Sequence, residues 1–324
     1  MWQRKVSINR LAFKLVKTLC GEHEQYGVTV KKTKTGTTLI DCGIKAKGGF
    51  QTGRIVTEIC LGGCGKTEIL PKKYGNIEFP SIFVRTDNPA LAILGSQFAG
   101  WKIKDDKIFA LASGPARALA LKPKKIYEKI GYRDDADVAV LVLETKQEPH
   151  KTLLNRFSKE CKVEPDNLFI LLVPTSSLAG SVQVSGRIVE TGLLRLEKLG
   201  LDPKLIVHAC GYAPIAPVHP KFAEAMGRTN DAILYGGVTY YAINYEGKEE
   251  KLGELLDKAS SATSKSYGKT FIEILKEVNY DFHKIDADIF APAVVMVNNV
   301  KTGSMFKVGE INVEMLMKSF GFKN

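Results

Sequence analysis

No stretch of the chain reaches the roughly 18 uncharged apolar residues that a membrane-spanning helix needs; the longest buried-looking runs are Val138–Leu143 and Leu168–Val173. The opening MWQRKVSINRLAFKLVKTL has no unbroken apolar core of about 7–15 residues, because Lys14 and Lys17 interrupt it. No secretory signal is therefore expected, and a cytoplasmic location is. Cysteine is scarce and unpaired in spacing: Cys20, Cys42, Cys60, Cys64, Cys161 and Cys210 form no Cys-x-x-Cys motif. They read as reduced core residues. The five histidines lie far apart without a His-Glu-x-x-His pattern, so no metal site is expected. His208 and His219, on either side of a proline-rich segment, are the pair that folding could bring together. There is no fixed-period repeat and no low-complexity linker, which excludes solenoids and disordered arrays.

What is present is an ordinary globular mixture, 44% hydrophobic and 25% charged, in 324 residues. At about 150 residues per domain, that length suggests two domains. The net charge of +11 is unevenly spread. Residues 1–162 carry 29 Lys and Arg against 16 Asp and Glu, whereas residues 163–324 carry 17 against 19. A basic half suggests an anionic partner such as a phosphorylated small molecule; the alternative is a set of solvated lysines. The basic residues are scattered, without interleaved aromatics or a nucleic-acid motif, so nucleic acid is disfavoured.

Ser7 caps an amphipathic stretch with apolar Ile8, Leu11, Ala12, Leu15, Val16 and Leu19, which predicts a helix ending near Gly21. Strands are predicted at Val28–Lys32, Thr38–Asp41, Arg54–Cys60, Thr67–Leu70 and Pro80–Thr86. Asp87-Asn88-Pro89 predicts a helix start reaching about Phe98, followed by a hairpin turning at Asp105-Asp106. From residue 114, helices (Pro115–Leu121, Lys124–Ile130, Lys151–Cys161, Leu178–Leu199) alternate with strands (Asp137–Leu143, Leu168–Val173, Leu205–Cys210). That alternation implies parallel strands covered by helices. Beyond a proline-rich loop lie a strand-like Ala232–Ile243, helices near 249–258 and 269–278, a hairpin at 293–309 and a closing helix at 312–319. The expected architecture is α/β in two domains, 1–135 and 136–324, with the boundary loosely fixed around 110–140.

Three elements invite a functional reading. GGCGKT (62–67) resembles the end of a phosphate loop, but Cys60 stands where the motif needs glycine, and a strand is predicted where a helix should start. A glycine-rich turn, able to hold an anion on its amides, is the better reading. In ASGPARALALKP (112–123), Ser113 and Gly114 sit where a strand passes into a helix. Arg117 and Lys122 nearby suit phosphate or carboxylate, or else the arginine is solvated beside a capped helix. In the third, 174–203, Gln183, Arg187 and Glu190 form a polar stripe at helical offsets of four and three. An exposed stripe would contribute only about 0–1 kcal/mol. The small residues Ser185, Gly186, Thr191 and Gly192 around it instead leave room for a ligand, where an exposed helix would carry better helix formers.

GTTLIDCG (36–43), SGPARALALKP (113–123), the GSVQ and RIVET segments within 175–190, APIAP (213–217), AMGRTND (225–231), FAPA (290–293) and GEINV (309–313) occur in that order. Together they resemble the methenyltetrahydromethanopterin cyclohydrolases of methanogenic and related archaea, from Val6 to Phe320. The resemblance implies reversible hydrolysis of a methenyl bridge on a pterin coenzyme to the 5-formyl form, without metal or prosthetic group. It also implies a cleft between two α/β domains and a homotrimer. The family's Arg–x–x–Glu pair falls on Arg187 and Glu190. A glutamate three residues after an arginine on a helix can contact it, which favours the carboxylate. Glu190 would then deprotonate water, and Arg187 would position Glu190 and substrate. Gln183, Ser113, Arg117, Lys122 and Arg228 are the expected substrate-binding residues, the basic ones facing the coenzyme's anionic tail. One departure stands out: Phe98 occupies a position where the resemblance implies lysine.

Two other functions compete. One is a hydrolase for a related folate-like carrier, separable by comparing turnover on the two substrates. The other is a non-catalytic protein that binds pterin or a polyanion, against which the presence of both Arg187 and Glu190 argues.

Overall fold

The computed structural model describes residues 6–104 and 108–322, so the predicted turn at Asp105-Asp106 lies outside the described residues. The chain divides into two compact units, one comprising residues up to Lys66 with Ala90–Gln183, the other Thr67–Pro89 with residues from Val184 onward. Both are α/β, as the sequence implies.

In the first unit, Ser7 Oγ accepts from the Arg10 N–H at 3.2 Å and starts α1 (Ile8–Gly21), a cap typically contributing about 1 kcal/mol. A short α2 (His23–Tyr26) follows. Six strands form one mixed sheet in the order β1 (Thr29–Lys32), β2 (Thr38–Asp41), β8 (Leu168–Leu172), β7 (Ala139–Glu144), β6 (Phe109–Ser113), β5 (Trp101–Lys104). The central β2, β8 and β7 run parallel. β7 is apolar on both faces because both are covered. Ala139, Leu141 and Leu143 pack with Leu153, Leu154 and Phe157 of α6 (Lys151–Cys161). Val140 and Val142 pack with Ala12, Val16 and Leu19 of α1 and with Ile55, Val56 and Ile59 of α3 (Phe50–Cys60). Each Val, Leu, Ile or Phe among them contributes roughly 1.5–3 kcal/mol by leaving water. The remaining helices are α4 (Ala116–Ala120), α5 (Lys124–Ile130) and the start of α7 (Leu178–Ser185). Gly53 lets α3 press against α7, since a Cβ there would stand 2.4 Å from that of Val182. Asp41 ties down the loop after β2: its carboxylate accepts the N–H groups of Gly43, Ile44, Lys45 and Ala46 at 2.6–3.1 Å. Burial pushes its pKa up, but these four donors prevail and hold it below the ordinary value.

The second unit is built on a sheet ordered β12 (Met305–Gly309), β11 (Val294–Asn299), β10 (Val238–Ile243), β9 (Ile206–Pro214), β4 (Ile77–Thr86), β3 (Lys66–Tyr74). Here β10 and β11 are parallel, and β9 lies antiparallel to both β10 and β4. α8 (Ile188–Lys198) and α9 (Phe222–Gly236) pack on β9, and α10 (Glu249–Leu256) packs on β12. α11 (Phe271–Glu277) and α12 (Val313–Phe320) complete a core with α9 through Tyr235, Phe271, Leu275, Leu316 and Phe320. Asp231 is buried among these three helices, accepting from Phe271 N at 2.9 Å and Ser319 Oγ at 2.6 Å. Burial outweighs both donors and pushes its carboxyl up to about 7.

Several expectations are corrected. The predicted strand Arg54–Cys60 is part of α3, where Arg54 and Glu58 pair across one helical turn at 2.9 Å. Its β-branched residues suit a strand, but residues 55–60 are all buried, and so short an apolar run fits a buried helix equally well. Ala232–Ile243 is not one strand: α9 runs to Gly236, and only Val238–Ile243 is extended. The stretch before Phe98 is a π-helix, Ala90–Gln97, rather than an α-helix. The predicted helix Leu178–Leu199 is broken into α7 and α8 at Gly186-Arg187. The break expected at 135/136 would cut through a sheet, because Ser113 of β6 pairs with Val142 of β7.

Candidate active site

The two residues singled out by spacing meet at the start of α8. Arg187 is its cap residue, with φ −84° and ψ 8°, and its N–H donates to Val184 O at 2.9 Å. The preceding Ser185 Oγ donates to Pro214 O at 2.9 Å, anchoring the break to the end of β9. Arg187 Nη1 lies 2.8 Å from Glu190 Oε2, with side-chain exposures of 12% and 9%. So protected a pair is far less screened than a surface one. Glu190 sits in the first turn of α8, where the helix dipole adds positive potential to that of the guanidinium. Thr191 Oγ1 donates back to Arg187 O at 3.1 Å. The other end of α8 is clamped by buried Arg195, which donates to Lys258 O at 3.0 Å and pairs with Asp288. Sequence reasoning missed Arg195, although an arginine between apolar Leu193 and Leu196 was a signal for a buried clamp.

Of the substrate-binding candidates, Ser113, Arg117, Lys122 and Gln183 belong to the first unit and Arg228 to the second. Gln183, on α7, is buried, and its Oε1 has no hydrogen-bond partner among the described residues. Ser113, at the end of β6, is buried with its Oγ 3.7 Å from Cys60 Sγ. Arg117 is fully buried: Nε donates to Lys122 O at 2.8 Å, and Nη1 to Ser96 O at 3.1 Å and Leu94 O at 3.3 Å. Its guanidinium also lies over the Phe98 ring at 5.3 Å and the Tyr127 ring at 5.7 Å. Tyr127 Oη donates to Gly95 O at 2.9 Å. Arg117 and Tyr127 thus satisfy carbonyls at the end of the π-helix, which corrects the expectation that Arg117 faces solvent or a substrate tail. Phe98 serves as a platform for that arginine. Lys122 is half-buried and pairs with Glu160 at 3.2 Å. Arg228, on α9, donates to Val218 O at 3.5 Å.

The GGCGKT segment is the exit of α3, not the entrance to a helix. Gly62 N and Gly63 N donate to Ile59 O and Glu58 O at 2.9 and 3.0 Å, and Lys66 Nζ pairs with Glu58 at 3.3 Å. These amides and the lysine are turned to the helix's own end rather than toward an anion. His208 pairs with Asp87 at 2.8 Å, while His219 Nδ1 accepts from Lys221 N at 3.1 Å. Among the described residues, no three His, Cys, Asp or Glu side chains cluster as metal ligands, and no helix is long and apolar enough to cross a membrane.

The π-helix was also illegible in the sequence. It places Ser96, buried and with no hydrogen-bond partner for its Oγ among the described residues, and Gln97 at its last turn. Such helices are rare and concentrate at functional sites.

Comparison with known proteins covers nearly the whole chain. The family described as Cyclohydrolase (MCH) matches residues 7–320. A methenyltetrahydromethanopterin cyclohydrolase of Methanothermobacter marburgensis is 45% identical over 319 residues, covering 98% of this chain and 99% of the relative. The enzyme of that name from Methanocaldococcus jannaschii is 44% identical, and that from Methanococcoides burtonii 41%, each with 98% of this chain and 99% of the relative covered. With the family match and the full-length relatives in agreement, the chain belongs to the MCH cyclohydrolase family.

Proposed function

We propose that the protein catalyses the reversible hydrolysis of 5,10-methenyltetrahydromethanopterin to the 5-formyl form, with Glu190 as base and Arg187 as the residue that positions it. The observation that carries the reading is the protected Arg187–Glu190 pair at 2.8 Å, at the head of a clamped helix, in a chain whose full-length relatives bear that name. The substrate carbon lies between two nitrogens in a cationic amidinium and is already electrophilic. Glu190, as carboxylate, takes a proton from water as the oxygen bonds to that carbon. The adduct's hydroxyl then loses its proton as the carbonyl forms and the bond to the second nitrogen breaks, and that nitrogen takes up a proton. One proton is released overall, and the positive charge of the substrate is gone. General-base catalysis of this kind typically supplies about 10²–10⁴ in rate. Arg187 holds the carboxylate in line and hydrogen-bonds the neutral adduct.

Gln183 is the second contact, its buried Oε1 matched to a donor on pterin or water, because such an oxygen costs about 1–3 kcal/mol when unpaired. Half-buried Lys122 serves the anionic tail. The reaction runs on side chains and water with no metal or prosthetic group, and the working form is a homotrimer. The test is loss of the methenyl absorbance when purified protein meets methenyltetrahydromethanopterin, before and after exhaustive chelation. Turnover that vanishes on chelation and returns with one metal ion would end the metal-free part, and binding without turnover would end the catalytic one.

A further inference from the structure

A base can act only if its carboxylate is held within about half an ångström of the working position. The Val189–Glu190 peptide therefore matters as much as the Glu190 side chain, because its plane sets where the side chain leaves the backbone. Tyr241 reaches that peptide directly. It stands on β10, between β9 and β11 in the middle of the sheet, and is fully buried. Its hydroxyl donates to Val189 O at 2.8 Å. Burial raises the phenol's pKa well above the ordinary range, so the donor proton stays in place.

The surroundings are cut to fit this contact. A Cβ on Gly192, two residues beyond Glu190, would stand 2.2 Å from Tyr241 Oη, so the hydroxyl occupies space that only glycine leaves. Ile188, on the other side, is seated against two further glycines: a Cβ on Gly237 would be 2.4 Å from its Cδ1, and one on Gly211 3.4 Å from its Cγ1. A phenylalanine would fill the core equally well without bringing a hydroxyl that must find a partner. Gly192 in mid-helix is less favourable to the helix than alanine. Both expenses fall at the turn that carries Glu190.

We propose that Tyr241 is a positioning residue for Glu190, fixing the Val189–Glu190 peptide through its hydroxyl, with Gly192 as the matching vacancy. This rests on the reading of Glu190 as the base.

The test is a cycle of Tyr241→Phe and Glu190→Gln in the full chain, read by kcat, KM and thermal melting. Tyr241→Phe is expected to lower kcat about tenfold, to change KM less than twofold, and to add no further loss on the Glu190→Gln background. An unchanged kcat in folded Tyr241→Phe overturns the proposal, as does an equal loss in both backgrounds. Near-normal turnover of Glu190→Gln alone identifies failure of the base assignment rather than of the positioning. Should Tyr241→Phe not fold, Gly192→Ala displaces the hydroxyl from the other side. The same kcat loss at unchanged KM supports the proposal, and unchanged kcat overturns it.

Discussion

The segments 112–123 and 185–192 look alike in sequence, each an arginine among small residues, yet their guanidinium groups do opposite things. Arg117 is fully buried and turned to the carbonyls of Leu94, Ser96 and Lys122, with two aromatic rings against it. Arg187 keeps 12% of its side chain exposed and meets a carboxylate. An arginine turned to carbonyls holds backbone in place. One turned to a carboxylate at a helix head forms a protected charge pair. Composition around an arginine does not tell these apart; the acceptor does.

The largest effect that would sharpen the contrast belongs to Glu190. Glu190→Gln keeps size and hydrogen bonding, so it should fold and bind the methenyl substrate while kcat falls by roughly 10²–10⁴. Arg187→Ala should also be damaged, and the double variant should lose less than the two losses combined. Normal turnover in folded Glu190→Gln would erase the distinction between the two segments.

Arg117→Ala should instead cost about 3 kcal/mol or more of stability, from orphaned carbonyls and a cavity, with kcat and KM of the folded fraction nearly unchanged. Denaturant melts paired with steady-state kinetics would show it, and a KM defect without a stability loss would contradict it.

The carboxylates offer a parallel contrast. Asp231 is buried with a hydroxyl and an N–H as its hydrogen-bond donors, and its value of about 7 in the folded state lies above the ordinary 3.8. Protonation therefore favours the fold: the contribution is complete below about pH 4 and is lost as pH rises to about 7. Asp231→Asn should gain on the order of a few kcal/mol above pH 7 and little at pH 4, measured by denaturation across that range. A pH-independent difference would show that the carboxyl is already ionised in the fold.

The smallest effect is expected at Lys122. Lys122→Ala breaks a solvent-accessible, half-buried pair with Glu160, so stability should change by about 1 kcal/mol. KM should rise a few-fold at constant kcat if the tail passes there, and an unchanged KM would remove Lys122 from the substrate's path.

Local signals were legible in the sequence. The Ser7 cap, the two-sided apolar β7 and the three-residue spacing of Arg187 and Glu190 all depend on near neighbours, and the structure contains each. Residues 54–60 were misread because Ile55, Val56 and Ile59 suit strand and helix alike, and the Arg54–Glu58 spacing that favours helix was passed over. Residues 232–236 failed for a related reason, being apolar on every side inside a buried helix end. The carbonyls of the π-helix meet Arg117 and Tyr127 from more than 20 residues away, and the Tyr241 hydroxyl meets Val189 from 52 residues away. Periodicity carries no trace of such meetings.

The interleaved order of the two units has a consequence for synthesis. β3 and β4 emerge from the ribosome between two portions of the first unit, yet β4's other neighbour, β9, begins only at Ile206. The first unit can close its sheet once β8 has emerged, because β8 fills the place between β2 and β7. Until β9 arrives, the β3–β4 pair is an exposed ribbon with a free edge, marginal in stability on its own. Lys66, Glu68, Lys72, Lys73, Glu78 and Arg85 stud that ribbon with charge, which keeps a waiting edge from pairing with other nascent chains.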